Sequence, residues 1–380
     1  MLLQIRKGFI LTGLLINCLE GLCVSDSLQV SVLTLEPGIE AYTIFGHTAI
    51  RIKDTLTHTD RVYNFGSFNF STPHFYWKFL KGDLNYYLSA GSFKKYMRES
   101  KQDQRKVWEQ ILIFETEEKQ KIYHNLDSVY HSEGRFYRYD FFHDNCATRV
   151  RDVLFGALNR EVIYDTGMLC NKTFRQLLDP YFSVNYWYDL GINLVLGREA
   201  DRVARPYDFM FLPDYIMEIL QSAQLVSEKQ LIMDATVPGI DRFRFSYISP
   251  WIIVAFLGLF SLPARTRKIV YYTVLSVFGI MGLFLLFVSL ISVNSGFRSN
   301  YNVVWTLPSL LIVLVRNRRI NDIMKIVYAG SLVLILLFRS RLPQEVPPTF
   351  FPWILLLVFV LLMNVQRIST GITAASQIPE

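Results

Sequence analysis

The chain predicts an α+β outer domain followed by a helical extension and an all-α membrane domain of about five helices. Three observations carry that reading. Short alternating apolar segments bounded by turn residues fill the first part of the chain, as half-buried strands do. A helix then begins at a cysteine. From about residue 247 the composition shifts to five apolar runs joined by short polar or basic connections.

Residues 1–25 open with a basic stretch that includes Arg6 and Lys7, followed by an apolar run over 8–19 that is short for a spanning helix. This is a secretory signal, either cleaved or retained as an anchor. Gly21 and Ser25 are candidate exits. Cys18 and Cys23 lack the small residue that a lipid-attachment site wants before them.

Strands are predicted over 27–35, 46–53 and 61–70, with Thr72-Pro73 ending the third. The stretch 75–88 is strongly aromatic and closes as a strand, and 104–114 returns as another. Thr116-Glu117-Glu118-Lys119 starts a helix running to Tyr130. These elements and the cysteine helix make an outer domain over 26–160. Helices over 172–178, 185–196 and 207–224, and a linker over 227–245, form an extension over 161–247.

The apolar runs at 248–262, 269–291, 303–315, 326–338 and 350–363 form the domain 248–380. Several are shorter than a standard span and must borrow flanking residues. Arg265, Arg267 and Lys268 fill one loop and Arg316, Arg318, Arg319 and Lys325 another, whereas the loop 292–302 carries only Arg298. The positive-inside rule makes the two rich loops cytoplasmic. His47 and Cys146 then lie outside the inner membrane, and the tail with Arg367 lies inside. The net charge is +6, and its positive excess sits in the membrane half, so it gives no reason to propose nucleic acid as a partner.

His47 and Cys146 are the candidate chemical pair. The segment 45–52 alternates as a strand, and His143-Asp144-Asn145-Cys146-Ala147-Thr148-Arg149 reads as a loop entering a helix. Asp144 or Asn145 suits the N-cap, and Val150, Val153 and Leu154 extend a buried face from the cysteine. Free N–H groups and the helix dipole at that end favour thiolate over thiol and suit an oxyanion. A strand histidine supplies the proton acceptor. Asn64, on the next strand, is placed to accept the Nδ1 proton and orient the ring. Gly46 permits close approach of another backbone or a substrate.

Competing readings exist for each residue. Cys146 is otherwise a small buried hydrophobe, or pairs with Cys170 in an oxidising compartment. His143 and Cys146 have a metal-like spacing, but no second ligand cluster accompanies them, and no metal or cofactor is expected. Asn64 suits a turn, Asp144 a cap, and Arg149 and Arg151 either a phospholipid headgroup or solvated helix faces.

Four segments carry a resemblance: 45–49 (FGHTA), 62–68 (VYNFGSF), 81–86 (KGDLNY) and 139–149 (YDFFHDNCATR). They resemble the periplasmic domain of the Lnb-type lipoprotein N-acyltransferases. Asn300, Asn302 and Trp305 match a motif of that family's outward loop. A His-Pro pair common before it is absent here, with Gly296-Phe297 nearby instead. More distantly, a histidine preceding an Asn-Cys motif is similar to the permuted NlpC/P60-like papain superfamily, which includes lecithin:retinol acyltransferases.

The resemblance implies a permuted papain-like fold and a thiol-dependent acyltransferase. A phospholipid would donate its acyl chain to Cys146, and the α-amino group of a diacylated lipoprotein's N-terminal cysteine would take it. His47 would act as base and then acid, with Asn64 completing the catalytic set. Arg149, Tyr63, Tyr139 and Asp144, all within the matching motifs, are candidates for substrate contact. The implied location is the bacterial inner membrane, multi-pass, with the catalytic domain in the periplasm. Two other readings stay open: an envelope amidase or lipase using the same pair, and a non-catalytic envelope assembly protein.

Overall fold

The computed structural model describes residues 27–40, 42–164, 171–182, 185–235, 241–309, 311 and 318–365. The expected signal segment, Cys170, the tail with Arg367 and much of the apolar run 303–315 lie outside them.

Seven strands form one sheet in the order β6-β4-β3-β2-β1-β5-β7, every pairing antiparallel. They are β1 Leu28–Leu35, β2 His47–Asp54, β3 Thr59–Ser67, β4 Asn85–Ser92, β5 Val107–Leu112, β6 Phe136–Arg138 and β7 Val226–Met233. The outer domain is α+β. Its helices are α1 Phe75–Lys81, α2 Phe93–Gln102, α3 Thr116–Tyr130, α4 Cys146–Ala157, α5 Phe174–Phe182, α6 Tyr186–Val195 and α7 Pro213–Ser222.

Strand alternation divides the sheet into two faces. Val30, Val32, Ile50, Ile52 and Tyr63 meet Ile122 and Leu126 of α3, Val150 and Leu154 of α4, and Ile216 and Ile219 of α7 in the main core. Leu33, Leu35, Ala49, Val62 and Val107 pack with Tyr96 of α2 in a smaller one. On that second face Arg51 grips Asp60 and Glu109 through both ends of its guanidinium and stacks over Phe93. The buried Glu109 also accepts from Ser31, so its charge is compensated rather than stranded.

Two expectations are corrected, and one element had no expectation. The linker over 227–245 contains β7, which pairs with β5; as an edge strand its middle is solvent-exposed, so its polar sequence hid the pattern. The helix 207–224 is two elements, a 3-10 turn at Pro206–Phe211 and then α7. Pro213 lacks the N–H needed to continue a helix and starts a new one instead. Helix α2 was not foreseen, because its sequence is mostly charged and only Tyr96 and Ser100 are buried.

Beyond residue 240 the described chain is helical: α8 Asp241–Phe260, α9 Ala264–Ile291, α10 Asn302–Thr306, α11 Arg318–Leu337 and α12 Phe351–Met363. Four of the five apolar runs are helices, and α8 and α11 reach 20 residues each by borrowing polar flanks. Among the described residues one helix, Ala264–Ile291, is long and apolar enough to cross a membrane. The remaining run, 303–315, departs from expectation at its start, where α10 stops after one turn at Leu307, in a left-handed conformation before Pro308. Trp305, Phe278, Phe350 and Leu357 belong to the core shared by these helices.

The loop between α9 and α10 fastens the two halves together. Asn300 donates to the carbonyls of Leu194 and Val195, and Asn302 to those of Asn193 and Leu194. Gln344 donates to Leu196. These are the carbonyls a helix leaves unpaired at its C-terminus, so three side chains cap α6. Trp305 in turn donates to Asn302.

Candidate functional site

Asn145, not Asp144, caps α4. Its carbonyl oxygen accepts from the N–H groups of Ala147 and Thr148, while its amide donates to Phe141 and Phe211. The Thr148 hydroxyl closes a reciprocal cap by accepting from the Asn145 N–H. All but the bond to Phe141 is buried. The first turn of α4, and with it the Cys146 backbone, is therefore held by five hydrogen bonds.

His47 opens β2, paired with Leu35 at the end of β1. Asn64 lies on β3 beside a bulge, where the β3–β4 register shifts between Asn64 and Ser67. Gly66 supplies the bulge's positive φ of 90°. A methyl group placed on Gly66 would lie 3.4 Å from the Cys146 β-carbon, 3.9 Å from His47 Cε1 and 4.0 Å from the Tyr137 hydroxyl. Cysteine, histidine and tyrosine thus converge around one glycine.

The imidazole is oriented by Asn64, but through the other nitrogen from the one expected. Nε2 lies 2.6 Å from Asn64 Oδ1. A carbonyl oxygen only accepts, so Nε2 carries the proton and Nδ1 keeps the lone pair. Burial lowers the His47 pKa from 6.5 to about 4, with the Arg105 charge adding to the shift and the Asn64 hydrogen bond opposing it. The ring is neutral at physiological pH.

Sulfur chemistry also departs from expectation. Burial raises the Cys146 pKa to about 11, against the N–H groups of Thr48, Ala147 and Cys146 and the Arg105 charge, which pull it down. Desolvation outweighs the helix N-terminus, so the resting pair is thiol and neutral imidazole, not thiolate and imidazolium. The Ala147 and Thr148 N–H groups are already occupied by Asn145. Thr48 and Cys146 are the better-placed donors for an oxyanion. Among the described residues Cys146 is a free thiol.

Arg105 is the residue that sequence reading missed. It comes from the turn before β5, is 5 % exposed, and donates to the backbone carbonyls of Glu36 and Leu35. Its buried positive charge acts on both His47 and Cys146. No local pattern marks an arginine whose anchor carbonyls lie some seventy positions away. Tyr137 was also passed over, although it stands next to a matching motif; its buried hydroxyl has no hydrogen-bond partner among the described residues.

The candidate contact residues divide. Tyr139 stacks on Tyr86 at 4.6 Å, and its pKa is raised well above 10 by burial and then by the neighbouring Cys146. Tyr63 does not reach the site. It is fully buried, edge-on to Tyr130 of α3, because neighbours along a strand face opposite ways and Asn64 faces His47. Asp144 and Arg149 form a two-point ion pair with each other, and the Arg149 guanidinium lies 4.3 Å over the Tyr137 ring. Arg151 is fixed to Asp152 and the Tyr207 carbonyl, which makes it an anchor for α4. His143 bonds Glu199. Among the described residues no group of three or more His, Cys, Asp or Glu is placed to hold a metal ion.

The cysteine loop is clamped from the membrane side. Asp140 accepts from Phe142 and His143 within the loop, and from the N–H and hydroxyl of Ser295 in the α9–α10 loop. Gly296 lets Phe142 pack close, since a β-carbon there would sit 3.0 Å from the ring.

Fold and site together define a membrane-anchored α+β domain with a cysteine–histidine–asparagine constellation at one end of its sheet. Residues 23–179 match the Lnb N-terminal periplasmic domain, and residues 246–370 match the Lnb transmembrane domain. The two matches support an Lnb-family protein, a membrane protein with a periplasmic domain. No curated protein and no solved structure matches the chain.

Proposed function

We propose that the protein is a thiol-dependent lipoprotein N-acyltransferase of the bacterial inner membrane. The observation that carries this reading is the convergence of Cys146, at the capped start of α4, with His47, whose Nε2 is held by Asn64. The Lnb-family matches point to a membrane-associated, lipoprotein-related role. The order histidine, then Asn-Cys, is compatible with a permuted papain-like ancestry.

The reaction follows from the protonation states. The Cys146 thiol attacks the ester carbonyl of a phospholipid while its proton passes to His47 Nδ1, the nitrogen that Asn64 leaves free. Backbone N–H groups of Thr48 and Cys146 receive the oxyanion. Collapse breaks the ester C–O bond, and the imidazolium returns its proton to the departing lysophospholipid oxygen. The α-amino group of a diacylated lipoprotein then attacks the thioester, giving its proton to His47. The C–S bond breaks, leaving an amide and a thiolate that His47 reprotonates. Keeping water from the thioester is what separates transfer from hydrolysis.

An inert thiol in an envelope assembly protein is the reading that the high Cys146 pKa favours. It leaves the Asn64 grip on a neutral imidazole without a purpose. The test is the N-terminal mass of lipoproteins in a strain lacking other N-acyltransferases, complemented with wild type, Cys146→Ser or His47→Ala. Triacylated product is expected with wild type alone, each variant losing roughly a hundredfold or more of the rate. Wild-type levels of product from either variant would overturn the assignment.

A further inference from the structure

Helix α1 is out of keeping with a water-facing surface. Its seven residues, FYWKFLK, include five apolar ones, yet none is buried. Tyr76 is 79 % exposed, Trp77 51 % and Phe79 45 %, and Phe70 just before it 66 %. Single exposed apolar residues need no explanation, but a contiguous aromatic patch marks a surface that something covers.

Its position says what covers it. Trp77 packs on Phe287 of α9, ring centroids 5.6 Å apart, and the Val293 N–H donates to the Lys81 carbonyl at 2.8 Å. Phe287 lies four residues before the end of the long apolar helix, so Trp77 sits about 6 Å below that end. This is the depth of the headgroup layer, where Trp and Tyr concentrate. Lys78 on the same helix supplies positive charge at the level of lipid phosphates, and Lys81 beside it is paired with Asp83.

A continuous run of rings leads inward from the patch. Phe70 contacts Phe68 at 4.8 Å and Phe75 at 5.1 Å. Phe68 contacts Tyr86 at 5.3 Å, and Tyr86 contacts Tyr137 at 6.3 Å. The Tyr137 hydroxyl borders the Gly66 position that also borders Cys146.

We propose that α1 lies in the outer leaflet of the bilayer and that this aromatic run is the route by which a phospholipid acyl chain reaches Cys146. The inference rests on the acyl-transfer reading for the purpose of the route, but its geometry is testable without turnover. The occupant is the phospholipid leaflet, not a peptide or a second copy of the chain.

The experiment uses the full chain in vesicles of phosphatidylcholine and phosphatidylglycerol. Trp77 emission is taken as the difference between wild type and Trp77→Phe, with bromine atoms placed on the lipid chains near the headgroup or near the bilayer centre. Shallow bromines should remove most of that emission and deep ones little. No quenching by either, or shielding from aqueous iodide without lipid quenching, would overturn the proposal, the latter because a protein partner would then cover α1.

The route is read by labelling Cys146 with a hexadecyl maleimide delivered in the vesicles and with iodoacetamide from water, each located by peptide mass. Phe70→Ser combined with Tyr76→Ser should slow the long-chain reagent about tenfold and leave iodoacetamide within about twofold. Equal slowing of both, or of neither, overturns the route. If quenching and labelling behave as expected while lipoprotein acylation is absent, the reaction assigned above fails and the lipid route stands.

Discussion

His47 and Cys146 carry opposite pKa shifts from one cause, burial, and each gives a pH signature. Iodoacetamide should label Cys146 slowly at pH 7 and progressively faster up to about pH 11, where a preformed thiolate–imidazolium pair would give a plateau through neutrality. A flat rate between pH 6 and 8 would refute the neutral resting pair. Stability carries the same information. Between about pH 6.5 and 4 the unfolded His47 binds a proton that the folded one refuses, so stability falls as pH falls through that window. Between about pH 9 and 11 the folded Cys146 keeps a proton that the unfolded one loses, so stability falls as pH rises. Arg105→Met removes a cation that lowers both groups, so both pKa values should move up; NMR titration of His47 and the pH profile of Cys146 alkylation read the two shifts. The pair and Asn64 were legible because each stands in a local pattern. The nitrogen used, the sign of the thiol shift and Arg105 were not, because burial and a charge brought from a distant turn are properties of the assembled fold.

Among the elements, α4 has the most specific start. Asn145→Ala removes a cap that satisfies two N–H groups and an amide that satisfies two carbonyls. A loss of about 1–3 kcal/mol is expected in a denaturant melt, larger than for Asp144→Ala, whose partner Arg149 is partly exposed and whose ion pair is worth about 1 kcal/mol or less. Equal losses would mean that the cap is shared. Strands β1, β2 and β5 and helix α3 could be read from alternation and caps, because one face of each meets the core. Helix α2 and strand β7 could not. One buries little beyond Tyr96, the other is an exposed edge, and an element without a strongly apolar face leaves little periodicity to read. Tyr63 shows the same limit within a motif, since its neighbour Asn64 faces the site and strand geometry sends it the other way.

At the scale of the whole molecule the two halves are joined by side chains of the α9–α10 loop, and that joint is open to a direct test. Asn302→Leu deletes the donor to Asn193 and Leu194 and the acceptor for Trp305. It should expose the α6–α10 region to proteolysis and lower the proposed acyl transfer, while the isolated pKa signature of His47 is unchanged; full protease resistance would show that Asn300 and Gln344 suffice. The motif resemblance singled out Asn300, Asn302 and Trp305, but their work as a C-terminal cap for α6 needed the fold to reveal it. The Asp140–Ser295 clamp bears on biogenesis. Asp140 is synthesised well before Ser295, with α8 and α9 between them, so the ribosome delivers the loop that braces the cysteine only after those helices have been made. Until that later segment is made, the loop that carries Cys146 lacks its brace, which ties its final form to synthesis of the chain through α9.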